Sequence, residues 1–200
     1  MQNNHSPQPP RLEVITGCMF SGKTEELIRR LERVRIAHGK VLLFKATIDD
    51  RYSKDSVVTH YGREVQAIRI EPGKESLKTL EQAAGKQALK EASVIAFDEG
   101  NFFSKKIIRL CQALVRRGKR VIVAGLDLTF ALKPFGPMPE LMAYADQVDK
   151  LFAVCVKCGG VATKTQRFVD GKPAPANDAM IKVGGEESYK ALCSHCHELR

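Results

Sequence analysis

Residues 17–24 read Gly-Cys-Met-Phe-Ser-Gly-Lys-Thr, a glycine and four residues followed by Gly-Lys-Thr, and no other stretch constrains the fold as tightly. An apolar run over residues 12–16 precedes it, and a charged amphipathic segment starting at Glu25 follows it. That order is strand, loop, helix. In a phosphate-binding loop the glycines let backbone N–H groups turn inward around an anion, the lysine reaches the β- and γ-phosphates, and the threonine hydroxyl ligates Mg2+. A glycine-rich turn with a surface lysine is the plainer reading of so short a pattern, and the flanking strand and helix argue against it.

Two hundred residues fit one ordinary domain with a small appendage and allow a real core. The net charge of +9 suits anionic partners. Phosphorylated small molecules satisfy it as well as nucleic acid or a membrane surface does. Tryptophan is absent and aromatics are few, so no stacking platform of interleaved aromatic and basic residues stands out. No stretch approaches the ~20 apolar residues of a spanning helix, so no membrane partner is expected. Residues 1–10 are polar and proline-rich, without the basic start and apolar centre of a signal peptide, and read as a disordered tail. The six cysteines then point to a cytoplasmic, reduced setting rather than a disulfide framework.

Residues 24–38 place Leu27, Leu31 and Val34 on one helical face, and Glu25 and Glu26 precede Arg29 and Arg30 by four, which predicts two surface ion pairs. Gly39 ends that helix, and residues 40–45 read as a buried strand, completing a right-handed βαβ unit. The long polar stretch over residues 46–62 has the length of a functional or mobile loop. A strand over residues 64–70 and an exposed helix over residues 76–91 follow. The apolar strand 94–97 ends in Asp98-Glu99. In nucleotidases of this architecture the aspartate orients Mg2+ opposite the loop hydroxyl, and a neighbouring carboxylate acts on the nucleophile. Acids decorating a helix N-terminus are the plainer reading.

Beyond the acids, a helix over residues 103–117 turns Ile107, Leu110, Leu114 and Cys111 inward. Its end carries Arg116, Arg117, Lys119 and Arg120, either a solvated helix end or a nucleic-acid contact. After a strand over residues 120–125, the loop to residue 139 holds Phe130, Phe135 and three prolines, a rigid apolar wall able to face a flat base or simply to pack. A helical turn at 140–145 and a last strand over 148–154 complete this part.

The C-terminal part changes character. Cys155-Val-Lys-Cys158 and Cys193-Ser-His-Cys196 form two Cys-x-x-Cys knuckles, and four thiolates suit a tetrahedral structural Zn2+. Residues 193–197 also match a c-type haem attachment, and a redox dithiol is a further reading. The absence of an export signal and the second knuckle weigh against haem. His195 or His197 can replace one cysteine as ligand, and spacing does not decide between them. Such sites bind with roughly 10–16 kcal/mol, enough to fold this region outright around the insert over residues 159–192.

Taken together, the loop at 17–24, Asp98-Glu99-Gly-Asn-Phe-Phe103, Gly125-Leu-Asp127 with Phe130 and Lys-Pro-Phe-Gly136, and the two knuckles resemble the zinc-containing, cytosolic type of thymidine kinase. The likeness runs from about residue 12 to residue 200. It implies an α/β fold with a P-loop (RecA-like) parallel sheet flanked by helices over residues 11–151, and a small zinc-binding lasso domain over residues 152–200. It also implies γ-phosphoryl transfer from ATP to the 5′-hydroxyl of thymidine, a homotetramer, and inhibition by dTTP.

The resemblance assigns the ATP loop to Gly17, Cys18, Met19, Phe20, Ser21, Gly22, Lys23 and Thr24, with Lys23 at the phosphates and Thr24 at Mg2+. Asp98 matches the Mg2+-side aspartate and Glu99 the general base, with Gly100 and Asn101 beside them. Asp49 and Arg51 fall in a flexible Asp-x-Arg-Tyr segment near the phosphates. Met19, Phe102, Leu126 and Phe130 surround the thymine, and the lasso from Met180 through Ile181, Lys182, Val183 and Gly184, with Tyr189, closes over it. Arg167 supplies a cation near the transferring group. Two positions depart from the family: Asn101 stands where glutamine is usual, keeping donor and acceptor but losing reach, and Ala46 stands where proline is usual.

A nucleic-acid-stimulated P-loop ATPase with a zinc ribbon is the main alternative. Its length argues against it, since there is room for one ATPase core. A zinc-ribbon interaction module with a vestigial loop would turn over no ATP.

Overall fold

The computed structural model describes residues 9–47, 56–58, 64–178 and 188–199. The chain runs β1 (Arg11–Gly17), α1 (Lys23–Ile36), β2 (Val41–Ala46), β3 (Ser56–Val58), β4 (Glu64–Gln66), β5 (Ile68–Ile70), α2 (Leu77–Ala84), α3 (Lys86–Glu91) and β6 (Val94–Asp98). It continues through α4 (Lys106–Arg116), β7 (Arg120–Gly125), α5 (Met138–Tyr144), β8 (Gln147–Leu151), β9 (Ala153–Val154), β10 (Val161–Ala162), β11 (Lys164–Val169), β12 (Lys172–Pro173) and β13 (Tyr189–Leu192).

Six strands form one sheet in the order β5-β2-β6-β7-β1-β8, with every neighbouring pair parallel. Parallel strands need covering on both faces, which explains why β6 and β7 are buried along their whole length. Side chains alternate between the faces. Ile15, Leu43, Ala96 and Ile122 meet Leu27, Ile28 and Leu31 of α1 on one side. Val14, Phe44, Phe97 and Val123 meet Ile107, Leu110 and Leu114 of α4, Leu80 of α2 and Leu141 of α5 on the other. This is the α/β architecture expected from the sequence, with the loop after β1 at an interior strand end. Cys111 lies in the core, as its helical position predicts. None of the helices among the described residues is long and apolar enough to cross a membrane.

Several local expectations change. The strand expected over 64–70 is two strands: β4 pairs antiparallel with β3, and β5 joins the main sheet. The helix expected over 76–91 breaks at Gly85, whose φ of 87° and ψ of 136° no helix accommodates. Helix α1 is capped by Ala37, and His38 rather than Gly39 takes the left-handed turn, with φ of 59°. Gly39 is needed for a different reason: a Cβ there would fall 2.6 Å from Val34 Cγ1. The last strand divides too. β8 stays in the sheet, while β9 leaves it to pair antiparallel with β10.

Of the expected i,i+4 ion pairs, Glu26–Arg30 forms at 2.8 Å, and Glu26 also binds Arg29 at 2.6 Å, an i,i+3 pair. Arg30 is no surface residue: its Nη1 and Nη2 donate to Glu13 at 2.7 Å and Asp149 at 2.8 Å. Glu13, fully buried on β1, accepts from Arg120 Nε at 2.5 Å and Arg11 Nε at 2.6 Å as well. Burial by itself would raise the Glu13 pKa, but the bonds from Arg120, Arg11 and Arg30 outweigh it and bring the carboxyl to about 2. The supposed basic cluster at the end of α4 therefore loses Arg120 to this network. Lys119 is engaged too, its Nζ donating to the carbonyls of Lys90 and Ala92 at 2.6 and 2.7 Å.

Candidate active site and cysteine cluster

The loop between β1 and α1 is shaped by its glycines and by its own carbonyls. Gly17 has φ of 137°, and a Cβ there would sit 2.2 Å from Leu151 O on the neighbouring strand. Gly22, at φ 80°, caps α1. Lys23 Nζ donates to Cys18 O at 2.6 Å, and Ser21 Oγ donates to the same carbonyl at 2.9 Å. The N-terminal end of α1, capped by Gly22 without a side-chain bond, carries partial positive charge suited to phosphate. Burial lowers the Lys23 pKa, opposed by the charges of Glu99, Cys18, Asp98 and Asp127.

Alternation along β6 places Asp98 on the α1 face, following Val94 and Ala96. Thr24 Oγ1 accordingly comes to 3.5 Å from Asp98 Oδ2. Glu99 adopts φ 56°, ψ 39°, a left-handed conformation rare outside glycine, and its N–H donates to Asp98 Oδ1 at 3.0 Å. Burial raises the Asp98 pKa, and the adjacent Glu99 adds to it. Glu99 is exposed at the turn, with neighbouring protein displacing part of the water around its carboxyl. That desolvation raises its pKa against the charges of Lys23 and Lys45. Thr24 and Asp98 offer oxygen donors only, the set a hard cation such as Mg2+ prefers.

A 3-10 turn, Gly100–Phe102, then crosses to the loop after β7. Leu126 and Phe102 are half-buried, Phe130 is buried, and Phe102 meets Phe135 edge to face at 5.4 Å. Arg167 is buried on β11. Its guanidinium lies over the Phe130 ring at 5.1 Å, and Nη2 donates to Asp178 at 2.6 Å. Tyr189, also buried, is the β13 partner of Arg167. Thus the structure gathers Lys23, Thr24, Asp98 and Glu99 at one strand-end cluster, and Phe130 with Arg167 at another. Asp49, Arg51, Met180, Ile181, Lys182, Val183 and Gly184 lie outside the described residues.

The Sγ atoms of Cys155, Cys158, Cys193 and Cys196 all lie within 4.8 Å of one another, with Cys158 and Cys193 at 3.7 Å. Tetrahedral Zn2+ with bonds of about 2.3 Å needs sulfurs roughly 3.8 Å apart, so the set fits zinc. Neither histidine joins this cluster among the described residues: His195 is exposed, and His197 Nε2 lies 3.1 Å from Phe130 O. Among the described residues the four cysteines are the set that could hold the metal, and a four-sulfur cluster favours that reading over haem.

Sequence reasoning passed over several residues. Thr165 Oγ1 accepts from Met19 N–H at 3.0 Å, and Cys18 Sγ donates to Ala162 O at 3.4 Å, so the phosphate loop is bonded to the cysteine module. Phe20 packs on the cluster of Cys18, Ala162, Leu192 and Cys196, support for the loop from the module's side. Thr165 and Gln166, buried and polar beside Arg167, give no amphipathic signal to find. Asp127, quoted in its motif but given no role, and Lys45 were findable as site residues. Each follows an apolar run at a strand end, as Asp98 does. Asp127 is buried with Lys150 Nζ at 2.7 Å, and Lys45 is the β2 partner of Asp98. With this geometry in place, the chain proves to match the thymidine kinase family model over residues 10–197, from the first strand to past the second knuckle.

Proposed function

The chain belongs to the thymidine kinase family, and from that premise we propose that it transfers the γ-phosphoryl group of ATP to the 5′-hydroxyl of thymidine, giving dTMP and ADP for DNA precursor salvage. The observation that carries this reading is the meeting of Lys23, Thr24, Asp98 and Glu99 at the C-terminal edge of the sheet. Phosphoryl transfer needs little covalent chemistry from the protein and depends on positioning and electrostatics.

The loop amides and Lys23 hold the triphosphate with its γ-phosphorus facing the acceptor. The 5′-oxygen attacks that phosphorus in line, the bond to the β–γ bridging oxygen breaks, and the 5′-OH proton passes to Glu99. The raised pKa of Glu99 brings it nearer the working pH of a base. Thr24 and Asp98 would hold Mg2+, which supplies charge neutralisation at the phosphates when bound. The four cysteines would hold structural Zn2+.

Met19, Phe102, Leu126, Phe130 and Tyr189 form the proposed thymine surround, with the lasso closing it. Arg167 was expected beside the phosphoryl group. Its place over Phe130 and against Asp178 supports a role in fixing that aromatic wall instead. Lys45, in register with Asp98 and acting on the Glu99 charge, is the cation better placed for the transferred group. Tetramer assembly, a cytoplasmic setting and dTTP as feedback inhibitor complete the proposal. The nucleic-acid-stimulated ATPase gains nothing from the fold, because the basic cluster it needs gives up Arg120 to Glu13 and Lys119 to carbonyls.

Transfer of label from γ-labelled ATP to a panel of nucleosides tests the reading. Thymidine should be phosphorylated best. Labelling of another nucleoside but not thymidine overturns the substrate, and labelling of none overturns the kinase.

A further inference from the structure

We infer that Asn101 is a positioning residue for the thymidine side of the site: it locks the turn that carries Glu99 to the loop that carries Leu126 and Phe130. The inference rests on the proposed kinase reading and assigns Asn101 to the acceptor pocket rather than to ATP.

Asn101 is 2% exposed, and its Oδ1 accepts the Leu126 N–H at 2.9 Å. Its Nδ2 is buried with no hydrogen-bond partner among the described residues. The backbone around it is gripped from two sides. A Cβ on Gly136 would come to 2.2 Å from Asn101 O, and one on Gly125 to 2.9 Å from Asn101 N. Gly100 is equally confined, a Cβ there falling 2.6 Å from Val123 Cγ1. Residues 99–102 are therefore wedged between the end of β7 and the Phe135–Gly136 loop, with the Phe102–Phe135 contact closing the outer side. The asparagine is short enough to end at Leu126. A shift of this wedge moves Glu99 and the Leu126–Phe130 wall relative to one another, so the anchor sets where a nucleoside's base sits when its 5′-oxygen meets Glu99. Charge on the triphosphate is handled by Lys23 and the α1 amides, which share no bond with Asn101.

The test uses the full-length protein with Asn101→Ala, Asn101→Ser and Asn101→Asp. Alanine and serine cannot reach Leu126 N–H, whereas aspartate, kept protonated by burial, retains the acceptor and puts a hydroxyl in place of the unpartnered Nδ2. The thymidine KM should rise about tenfold in N101A and N101S, and the preference for thymidine over deoxyuridine should fall, since an apolar pocket must fit closely to favour one methyl group. The ATP KM should stay within about twofold in both, and N101D should restore the thymidine KM. Thermal melting confirms that each variant is folded, and serine carries the test should alanine not fold. An unchanged thymidine KM in the folded variants overturns the inference. So does a raised ATP KM with thymidine binding intact, which would return Asn101 to the nucleotide. The wild-type rate on thymidine, measured alongside, tests the kinase reading separately.

Discussion

The amide of Met19 donates to the hydroxyl of Thr165 across 3.0 Å, joining the phosphate loop to a β-strand of the cysteine module. With Cys18 Sγ on Ala162 O at 3.4 Å, the loop's entry is held by a part of the chain about 145 residues away in sequence. A loop that must present its amides to phosphate without reorganising benefits from such a support. The prediction is that Thr165→Val, close in shape but lacking the acceptor, leaves the Met19 N–H unsatisfied at a cost of about 1–3 kcal/mol. The ATP KM should rise several-fold while zinc content is unchanged. Steady-state kinetics with metal analysis checks this, and a normal ATP KM with normal stability removes the support role.

Metal removal should reach the same loop. Cys18 and Phe20 share an apolar cluster with Cys155 and Cys196, so unfolding the knuckles takes away the surface on which the loop rests. Chelation should therefore lower the melting temperature and speed amide hydrogen exchange at residues 17–20, not only in the module. Exchange measured with and without chelator decides it. Unchanged protection in the phosphate loop after verified zinc loss would show the two parts to be independent.

Acid sensitivity should trace to Glu13. Its folded pKa, about 2, lies below the unfolded value of 4.5 because three arginines stabilise the carboxylate. A depressed pKa contributes stability that is fully present above the unfolded value and lost as pH falls towards the folded one. The loss should run from about pH 4.5 to about pH 2 and amount to at most roughly 3 kcal/mol. Glu13→Gln should be less stable at pH 7, and its stability should depend less on pH across that window. Denaturant midpoints at several pH values measure both, and parallel curves for the two proteins exclude Glu13 as the source.

How much of this was readable from the chain depends on range. The loop, Asp98-Glu99 and the cysteine knuckles announce themselves because their chemistry is local: glycine at strained backbone positions, acids after an apolar strand, thiols at metal spacing. Arg30 and Arg120 did not, because a partner on β1 recruits them, and helical spacing knows only neighbours four residues away. The same limit hid Thr165, which meets Met19 only once the chain has folded back. Gly39 shows a subtler loss. Its position after a helix signals a cap, whereas the structure uses it for close approach to Val34 and gives the left-handed turn to His38.

Lys45 makes a further prediction. It stands beside Asp98 in the β2–β6 register, and its charge bears on Glu99. Lys45→Met should lower kcat about tenfold with thymidine KM little altered, and Lys45→Arg should recover most of the rate. An effect confined to thymidine KM would place Lys45 outside the phosphoryl site.

Glu99 itself supplies the sharpest test of the proposed chemistry. Its left-handed backbone, at φ 56°, is a strained state for a side-chain-bearing residue, held because the following turn is wedged against Gly125 and Gly136. Glutamine preserves that backbone and the shape of the side chain while removing the proton acceptor. The expected result for Glu99→Gln is a fall in kcat of about a hundred- to ten-thousand-fold, the range of general-base catalysis, with ATP and thymidine affinities near wild type. Binding titrations beside single-turnover rates separate the two quantities. Turnover close to wild type would show that another group takes the 5′-OH proton, and Asp127, whose charge also reaches Lys23 in the same cluster, would be the next carboxylate to replace.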